Sequence, residues 1–265
     1  MIKLISSDMD GTLLDEHSRV PPETFYLIRQ LKDKRVRFCA GSGRRLDTLM
    51  DFFGPVCDLM DFVASNGTQV MAEGRLIDQE FYSYAAVKRL KRVVDTFDAL
   101  HLVLFDRYVS FLLDNEEVFE REMDKDLPRT ERMYELPGPE VSIIKASIFC
   151  DDEAKVMDMA YALARELSGD FTFAPSGHKW IDVMQTTVSK KSGIQQVMDY
   201  YGILPSEVMA FGDSMNDYEI LSYVEHSRAM ANGRYAIEAI AEKVIGANTD
   251  QAVQLEMRKL LETLD

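Results

Sequence analysis

Four short segments of the chain carry residue types that could bind and attack a phosphate group. The first, DMDGT at residues 8–12, follows an apolar run at residues 2–7 that predicts a buried strand. Ligands of open parallel sheets bind beyond the carboxyl ends of strands, so Asp8 and Asp10 would lie at the edge of the sheet where an active site is expected. Two close carboxylates repel unless a cation lies between them, and Mg²⁺ prefers oxygen ligands. The alternative for this segment alone is an Asp- and Gly-rich turn.

The second segment is GSGR at residues 41–44, after another apolar run. A small loop with a hydroxyl and backbone N–H groups suits phosphate oxygens, and the guanidinium of Arg44 would add positive charge. Taken in isolation, the loop is more commonly an ordinary strand-to-helix connection with Ser42 near the N-cap.

The third and fourth segments lie far along the chain. Lys190 stands where a helix is predicted to begin, and a cation there opposes the helix dipole unless it has another purpose, such as neutralising a phosphoryl group. The segment GDSMND at residues 212–217 follows an apolar strand, so Asp213 stands at a strand end as Asp8 does. The alternatives are solvated surface lysines and a capped helix start.

The hydrophobic pattern indicates how these segments are positioned. Strands are predicted at residues 2–7, 36–40, 61–64, 208–211, 228–231 and 243–245, and helices begin near residues 22, 46, 190 and 251. This alternation predicts right-handed crossovers and a parallel α/β sheet. A hairpin is expected around Glu73 and Gly74.

The middle of the chain has a different pattern. Apolar residues at helical spacing extend from Val87 through Phe97 to Leu100. We then predict strands at 101–105, 109–113 and 141–150, helices at 116–125 and 156–167, and a hairpin across 175–177. Adjacent strands joined by short turns predict an antiparallel α+β unit. We interpret residues 83–183 as a domain inserted into a first domain made of residues 1–82 and 184–265.

The composition limits the classes of function. With 265 residues of which 46% are apolar, the chain can bury a substantial core. Its net charge of −15 argues against nucleic-acid and anionic-membrane partners, so any phosphate site must be locally positive. Three scattered cysteines favour a reducing, cytoplasmic setting. No feature of the sequence requires an oligomer, so we expect a monomer or a weak homo-oligomer.

In this order, the four segments resemble the motifs of the haloacid dehalogenase-like (HAD) hydrolase superfamily. The placement of the insertion resembles the Cof-type branch with a type IIB cap, as do the segments at residues 65–68, 229–232 and 246–250. The resemblance implies an α/β, Rossmann-like parallel-sheet core with an inserted α+β cap domain. It also implies Mg²⁺ as cofactor and a small-molecule phosphate ester, such as a sugar phosphate, as substrate. Ser42 replaces the more usual threonine, and Lys191 replaces a common glycine.

The same resemblance implies a role for each candidate residue. Asp8 would be the nucleophile that forms an aspartyl-phosphate, and Asp10 the general acid/base. The metal would be held by Asp8, the main-chain carbonyl of Asp10 and Asp213, with support from Asp217. The residues expected to bind the phosphate group are Met9, Ser42, Gly43, Arg44, Lys190 and Asn216.

Two other functions fit parts of this pattern. A phosphotransferase, such as a phosphohexomutase, would use the same motifs but return the phosphate to a sugar. A non-catalytic module with a phosphorylated aspartate would need neither Asp10 nor the insertion.

The insertion would act as a lid that contacts the leaving group of the substrate. The candidate residues for this contact are Arg107, Tyr108, His178, Lys179 and Trp180. The substrate itself is not specified: sugar phosphates, flavin mononucleotide and pyridoxal phosphate all occur in the wider family.

Overall fold

The computed structural model describes residues 1–113, 129–176 and 178–264. The chain divides into two compact units, one formed by Met1–Gln79 with Ser189–Asp265 and the other by Glu80–Val188. The insertion predicted at residues 83–183 falls within the second unit. The helix predicted at 116–125, and Gly177 of the predicted hairpin, lie outside the described residues.

The strands are numbered in chain order. They are β1 (Leu4–Ser7), β2 (Arg37–Gly41), β3 (Asp61–Ala64), β4 (Gln69–Ala72), β5 (Arg75–Gln79), β6 (Leu100–Phe105), β7 (Ser110–Leu112), β8 (Thr130–Arg132), β9 (Lys145–Cys150), β10 (Phe171–Ser176), β11 (Trp180–Gln185), β12 (Val208–Gly212), β13 (His226–Met230) and β14 (Lys243–Ile245). The α-helices of the described ranges are α1 (Pro22–Asp33), α2 (Leu46–Phe52), α3 (Tyr84–Val94), α4 (Val156–Glu166), α5 (Lys190–Tyr201), α6 (Tyr218–Tyr223), α7 (Tyr235–Glu238) and α8 (Ala252–Leu264).

The first unit is built on an eight-stranded sheet with the order β14-β13-β12-β1-β2-β3-β4-β5. The strands from β14 to β3 are parallel, and the hairpin β4–β5 continues the sheet in antiparallel fashion. Ser7 at the end of β1 is in register with Ala40 of β2 and Phe211 of β12. The carboxyl ends of these three strands therefore meet at one edge, and the predicted α/β fold with a parallel sheet is confirmed.

The central strand β1 is buried along its whole length because both of its faces are covered. Leu4 packs in one core cluster with Val63 and Ile194, while Ile5 packs in another with Phe38. All of these side chains are buried. Two-sided burial fixes β1 in the middle of the sheet, and with it the position of the segment that follows.

Helix α5 begins at a well-defined point. The hydroxyl of Ser189 accepts a hydrogen bond from the N–H of Ser192, and the Ser192 hydroxyl reciprocates at the Ser189 N–H, forming a capping box. Gly193 permits close packing on β3, since a Cβ there would lie 2.6 Å from Cγ1 of Val63. The helix start that carries Lys190 is thus fixed against the sheet.

The second unit contains a six-stranded sheet with the order β10-β11-β9-β6-β7-β8. Its pairs are antiparallel except β7–β8, which is parallel where the sequence predicted only antiparallel neighbours. Helix α3 ends at Val94, so the prediction of a helix through Phe97 and Leu100 was wrong: Leu100 begins β6. The strand predicted from residue 141 begins at Lys145.

Side chains of this sheet alternate between two apolar clusters. Leu102, Ile148 and Ile181 belong to a cluster that includes residues of α3 and α4, while Val103 and Phe149 belong to a smaller one beside Trp180. The pattern is that of an α+β layer. Among the helices of the described ranges, none combines the length and the hydropathy that a bilayer crossing requires.

Candidate active site

Asp8 directly follows the central strand β1. Its N–H donates to the carbonyl of Phe211 on β12 at 3.1 Å, and its own carbonyl accepts from the Ser7 hydroxyl at 2.8 Å. The chain then makes a tight turn over Met9–Leu13, in which Gly11 has a φ of 79°. This left-handed conformation favours glycine, which explains why the DMDGT segment turns there.

Asp8, Asp213 and Asp217 converge at the carboxyl ends of β1 and β12. One oxygen of each lies within 4.8 Å of the others. The hydroxyl of Thr12 donates to Oδ1 of Asp213 at 3.1 Å, which links the turn after β1 to the loop after β12. The pairing of the two parallel strands thus unites acidic residues from opposite ends of the sequence.

Lys190 lies inside this acidic cluster. Its Nζ is 2.6 Å from Oδ1 of Asp8 and 2.6 Å from Oδ1 of Asp217. Only 2% of the residue is exposed. A cation at the first position of a helix is disfavoured by the helix dipole, and here two carboxylates offset that cost.

Burial dominates the electrostatics of the cluster. Desolvation raises the pKa of Asp8 well above its usual value, with further increases from Asp217 and Asp213 that the Lys190 ammonium opposes. Desolvation, followed by the charge of Asp217, also raises the pKa of Asp213 to about 6. Desolvation alone would lower the pKa of Lys190, but attraction to Asp217 and Asp8 outweighs it, so the pKa is raised.

The donor set fits a small hard cation. When all three carboxylates are ionised they outnumber the one ammonium in a mostly buried space, and all of their donor atoms are oxygens. Mg²⁺ prefers such ligands and would offset the repulsion that raises the pKa values of Asp8 and Asp213.

Asp217 has both of its carboxylate oxygens engaged. Oδ1 accepts from Lys190, and Oδ2 accepts from the N–H groups of Asp213 and Ser214, each at 3.1 Å. A Cβ at Gly212 would lie 2.5 Å from the Cβ of Asp217, so glycine permits this close approach. Asp217 therefore fixes both the lysine and the loop that presents Asp213.

The Ser42 loop is connected to Asn216 through the loop after β3. Ser42 donates its N–H to Val63 at 2.9 Å, and its carbonyl accepts from the N–H of Asn66 at 2.9 Å. Asn66 has a left-handed backbone (φ 54°, ψ 32°), and its side-chain oxygen accepts from Nδ2 of Asn216 at 3.2 Å. Asn66 thus joins the second and fourth segments.

Asp10 and Arg44 form an ion pair with each other. Nε of Arg44 is 2.9 Å from Oδ2 of Asp10, and Nη2 is 2.7 Å from Oδ1. The Asp10 side chain is 52% exposed, and both of its oxygens are paired with Arg44 of the loop after β2. Arg44, which the sequence suggested as a phosphate ligand, therefore contacts the predicted acid/base.

The structure thus brings the carboxylates of Asp8, Asp213 and Asp217 within 4.8 Å of one another, with Lys190 in contact with Asp8 and Asp217. It also connects Ser42 with Asn216 through Asn66. Of the remaining predicted phosphate ligands, Met9 has a buried side chain and follows Asp8 in the turn, and Gly43 lies between Ser42 and Arg44.

Three polar contacts were not expected from the sequence. They involve Thr12, Asn66 and Asn232, whose amide donates to the carbonyl of Gly11 at 2.8 Å. An asparagine before glycine at a strand end indicates a left-handed turn and could have pointed to Asn66. Thr12 and Asn232 act across more than 200 residues, and no local pattern indicates such contacts.

The chain is similar to known proteins over most of its length. Residues 5–257 match the profile of the haloacid dehalogenase-like hydrolases. The chain is 28% identical over 262 residues to 5-amino-6-(5-phospho-D-ribitylamino)uracil phosphatase YbjI of Escherichia coli, covering 98% of this chain and 96% of the relative. It is 24% identical over 258 residues to the HMP-PP phosphatase of Serratia proteamaculans, covering 96% and 93%.

A solved HAD/COF-like hydrolase from Plasmodium vivax superposes with a TM-score of 0.85 at 21% identity, over 99% of this chain and 96% of that one. This likeness confirms the fold. Because the family profile spans nearly the whole chain and its relatives are phosphatases, the chain belongs to the haloacid dehalogenase-like hydrolase family and is a phosphoric monoester hydrolase.

Proposed function

We propose that this chain is a Mg²⁺-dependent phosphatase of small-molecule phosphate monoesters that works through an aspartyl-phosphate on Asp8. The observation that carries the proposal is the convergence of Asp8, Asp213 and Asp217 around the buried ammonium of Lys190. A carboxylate nucleophile beside an ammonium and a cation site is the set of groups that phosphoryl transfer to a side chain requires.

The reaction has two balanced steps. A carboxylate oxygen of Asp8 attacks phosphorus, the bond from phosphorus to the ester oxygen breaks, and Asp10 donates a proton to the departing oxygen. Asp10 then takes a proton from water as that water attacks phosphorus, and the bond from phosphorus to the Asp8 oxygen breaks. Inorganic phosphate is released and the Asp8 carboxylate is restored. One residue thus serves as acid in the first step and as base in the second.

Charge neutralisation is shared between the protein and the metal. Lys190 contacts Asp8 directly and would offset charge on the phosphoryl oxygens as well. We propose that Asp8, Asp213 and the main-chain carbonyl of Asp10 hold the metal, and that Asp217 supports it by fixing Lys190 and the Asp213 loop. When bound, Mg²⁺ would supply positive charge against both the nucleophile and the phosphate.

Ser42 and Asn216 are proposed to bind the transferring phosphate. Their loops are linked through Asn66, which fixes the two segments relative to each other. The substrate class is a small phosphorylated metabolite. The name of the Escherichia coli relative makes 5-amino-6-(5-phospho-D-ribitylamino)uracil the first compound to test, beside sugar phosphates.

The experiment measures release of inorganic phosphate from a panel of phosphate esters, with Mg²⁺ and with EDTA. We expect turnover only with the metal, and none above background for Asp8→Asn. Acid quenching during turnover, followed by peptide mass spectrometry, should find one phosphoryl group on the peptide that contains Asp8. Phosphate that moves to a second sugar without release would indicate a phosphotransferase, and label on another residue would disprove the assignment of the nucleophile.

A further inference from the structure

We propose that Arg44 acts on the reaction through Asp10, as a positioning residue for the general acid/base, and not as a ligand of the transferring phosphate. This inference rests on the proposed function, because it assumes that Asp10 exchanges protons with the leaving group and with water. It changes the role of Arg44 from the one that the sequence suggested.

The geometry of the pair supports a positioning role. Two parallel hydrogen bonds, of 2.9 and 2.7 Å, join the Nε and Nη2 edge of the guanidinium to both oxygens of the Asp10 carboxylate. This fork fixes the plane and the direction of a carboxylate, which a single hydrogen bond does not. The Asp10 side chain is 52% exposed, so the pair restrains a group that would otherwise rotate in solvent.

Both the backbone and the guanidinium of Arg44 have their own contacts. Its N–H donates to the Ser42 hydroxyl at 3.1 Å, and its carbonyl accepts from the N–H of Ser65 at 2.8 Å. Its guanidinium carbon lies 5.0 Å from the ring centroid of Phe52. A fixed backbone and an aromatic contact give the guanidinium a defined place from which to orient Asp10.

The position of the pair also separates two kinds of carboxylate. Lys190 contacts Asp8 and Asp217, and an oxygen of Asp213 lies within 4.8 Å of theirs, whereas both oxygens of Asp10 are paired with Arg44. A fourth carboxylate in the acidic cluster would add repulsion and compete for the cation. Arg44 therefore keeps the side chain of Asp10 available for proton transfer.

The leaving group distinguishes this proposal from direct phosphate binding. An alkyl alkoxide needs a proton as it departs, whereas para-nitrophenolate is stable without one, so loss of the acid affects the alkyl ester more. A residue that acts through Asp10 shows the same dependence. A ligand of the phosphate, by contrast, contributes similarly to both substrates, because both contain the same phosphoryl group.

The experiment measures kcat/KM for n-butyl phosphate and para-nitrophenyl phosphate, at saturating Mg²⁺, in wild type, Asp10→Asn, Arg44→Gln, Arg44→Lys and the double variant Asp10→Asn/Arg44→Gln. We expect Arg44→Gln to lower the alkyl rate at least about tenfold more than the aryl rate, in the same direction as Asp10→Asn. The double variant should have a kcat/KM less than about threefold below that of Asp10→Asn alone, because the effect of Arg44 passes through Asp10. Arg44→Lys, which cannot form the fork, should fall between wild type and Arg44→Gln.

Arg45 offers a matched control. It is the next residue and forms its own two-bond pair with Asp47, at 3.1 and 2.9 Å. Any loss in Arg45→Gln should be equal for both esters, and circular dichroism of all variants should show the wild-type spectrum. If Arg44→Gln does not fold, Arg44→Lys carries the same comparison.

Two results would overturn the inference, and they differ in what else they overturn. In the first, Arg44→Gln lowers kcat/KM equally for both esters, and its loss multiplies with that of Asp10→Asn in the double variant. Arg44 would then be a phosphate ligand, and the proposed function would stand. Equal losses with both esters in Asp10→Asn would remove the acid role of Asp10, and the inference would fall together with that part of the proposed function.

Discussion

Gly11 lies directly against the carboxylate of Asp213: a Cβ atom on Gly11 would be 2.6 Å from Oδ2. Gly11 also has a φ of 79°, so both the backbone conformation and the available space require glycine. Thr12 adds a hydrogen bond to the other oxygen of Asp213. Gly11, in the turn after β1, therefore helps to define the proposed metal site although it has no side chain that could bind the metal.

Replacing Gly11 by alanine should disturb that site. The added methyl group must displace the Asp213 carboxylate, and disturbing the support of a metal ligand typically costs about 10- to 100-fold in metal affinity or activity. We expect Gly11→Ala to raise the half-saturating Mg²⁺ concentration within that range, measured by phosphate release. Gly74→Ala is the control, because Gly74 has a similar φ of 71° and a Cβ there would meet nothing within 4 Å. Equal effects of both variants would show that backbone strain alone is responsible.

Removing the buried ammonium should affect catalysis and stability together. Lys190→Met leaves Asp8 and Asp217 without their shared partner, and breaking a buried ion pair typically costs about 3–5 kcal/mol. We also expect kcat to fall at least about 100-fold, as for loss of a group that stabilises transition-state charge. Chemical denaturation and steady-state kinetics measure the two effects. Lys191→Met is the matched control and should retain most of its activity, because Lys191 contacts Gln195 and Tyr223 instead.

Mg²⁺ binding should weaken in mildly acidic solution. The pKa of Asp213 is about 6 in the metal-free protein, so protons compete with the cation increasingly as the pH falls through that value. We expect the half-saturating Mg²⁺ concentration to increase over this range. Isothermal titration calorimetry at several pH values measures it, and a flat profile from about pH 7.5 to about pH 5 would contradict the expectation.

The raised pKa of Asp213 also predicts that the metal-free protein becomes more stable, not less, as the pH falls. The folded-state pKa of Asp213 lies above its unfolded value, so the folded protein binds the proton more tightly. The free energy of unfolding in EDTA should therefore rise as the pH falls from above about 6 toward about 4, where the unfolded carboxyl also titrates. Asp8 contributes with the same sign, because its pKa is raised as well. Asp213→Asn should reduce this rise, and an unchanged slope in that variant would assign the effect to other groups.

The contact between Asn66 and Asn216 can be tested without disturbing the backbone. Asn66→Gly keeps the left-handed conformation and removes only the amide that orients Asn216. We expect kcat/KM to fall about tenfold, the size of one lost hydrogen bond of about 1.4 kcal/mol. Combining it with Asn216→Ala should add little, because Asn66 acts through that side chain. Fully multiplicative losses would give Asn66 a separate contact with the substrate.

The sequence predicts the part of the site that follows from strand order. Apolar runs that end in Asp8 and Asp213 indicate buried parallel strands, and parallel strands bring their carboxyl ends to one edge. Lys190 could be placed near that edge because a cation at a helix start opposes the helix dipole unless it has another purpose, such as neutralising a phosphoryl group.

The remaining contacts depend on side-chain direction, which residue spacing does not specify. The pairing of Asp10 with Arg44 joins two loops and requires both rotamers to be known. The end of α3 was misjudged for a related reason: Phe97 and Leu100 continue the apolar spacing, but the start of β6 buries Leu100 instead. Apolar spacing identifies what is buried without identifying the element that buries it.

The place of β1 in the sheet has a consequence for synthesis of the protein. β1 pairs with β12, and Thr12 is separated from its partner Asp213 by 201 positions. At the usual speed of translation, roughly 10 to 40 seconds elapse between the two. Throughout that interval the first strand exposes one unpaired edge on the ribosome, so the nascent chain is vulnerable to misassociation and acquires its catalytic centre only when β12 emerges.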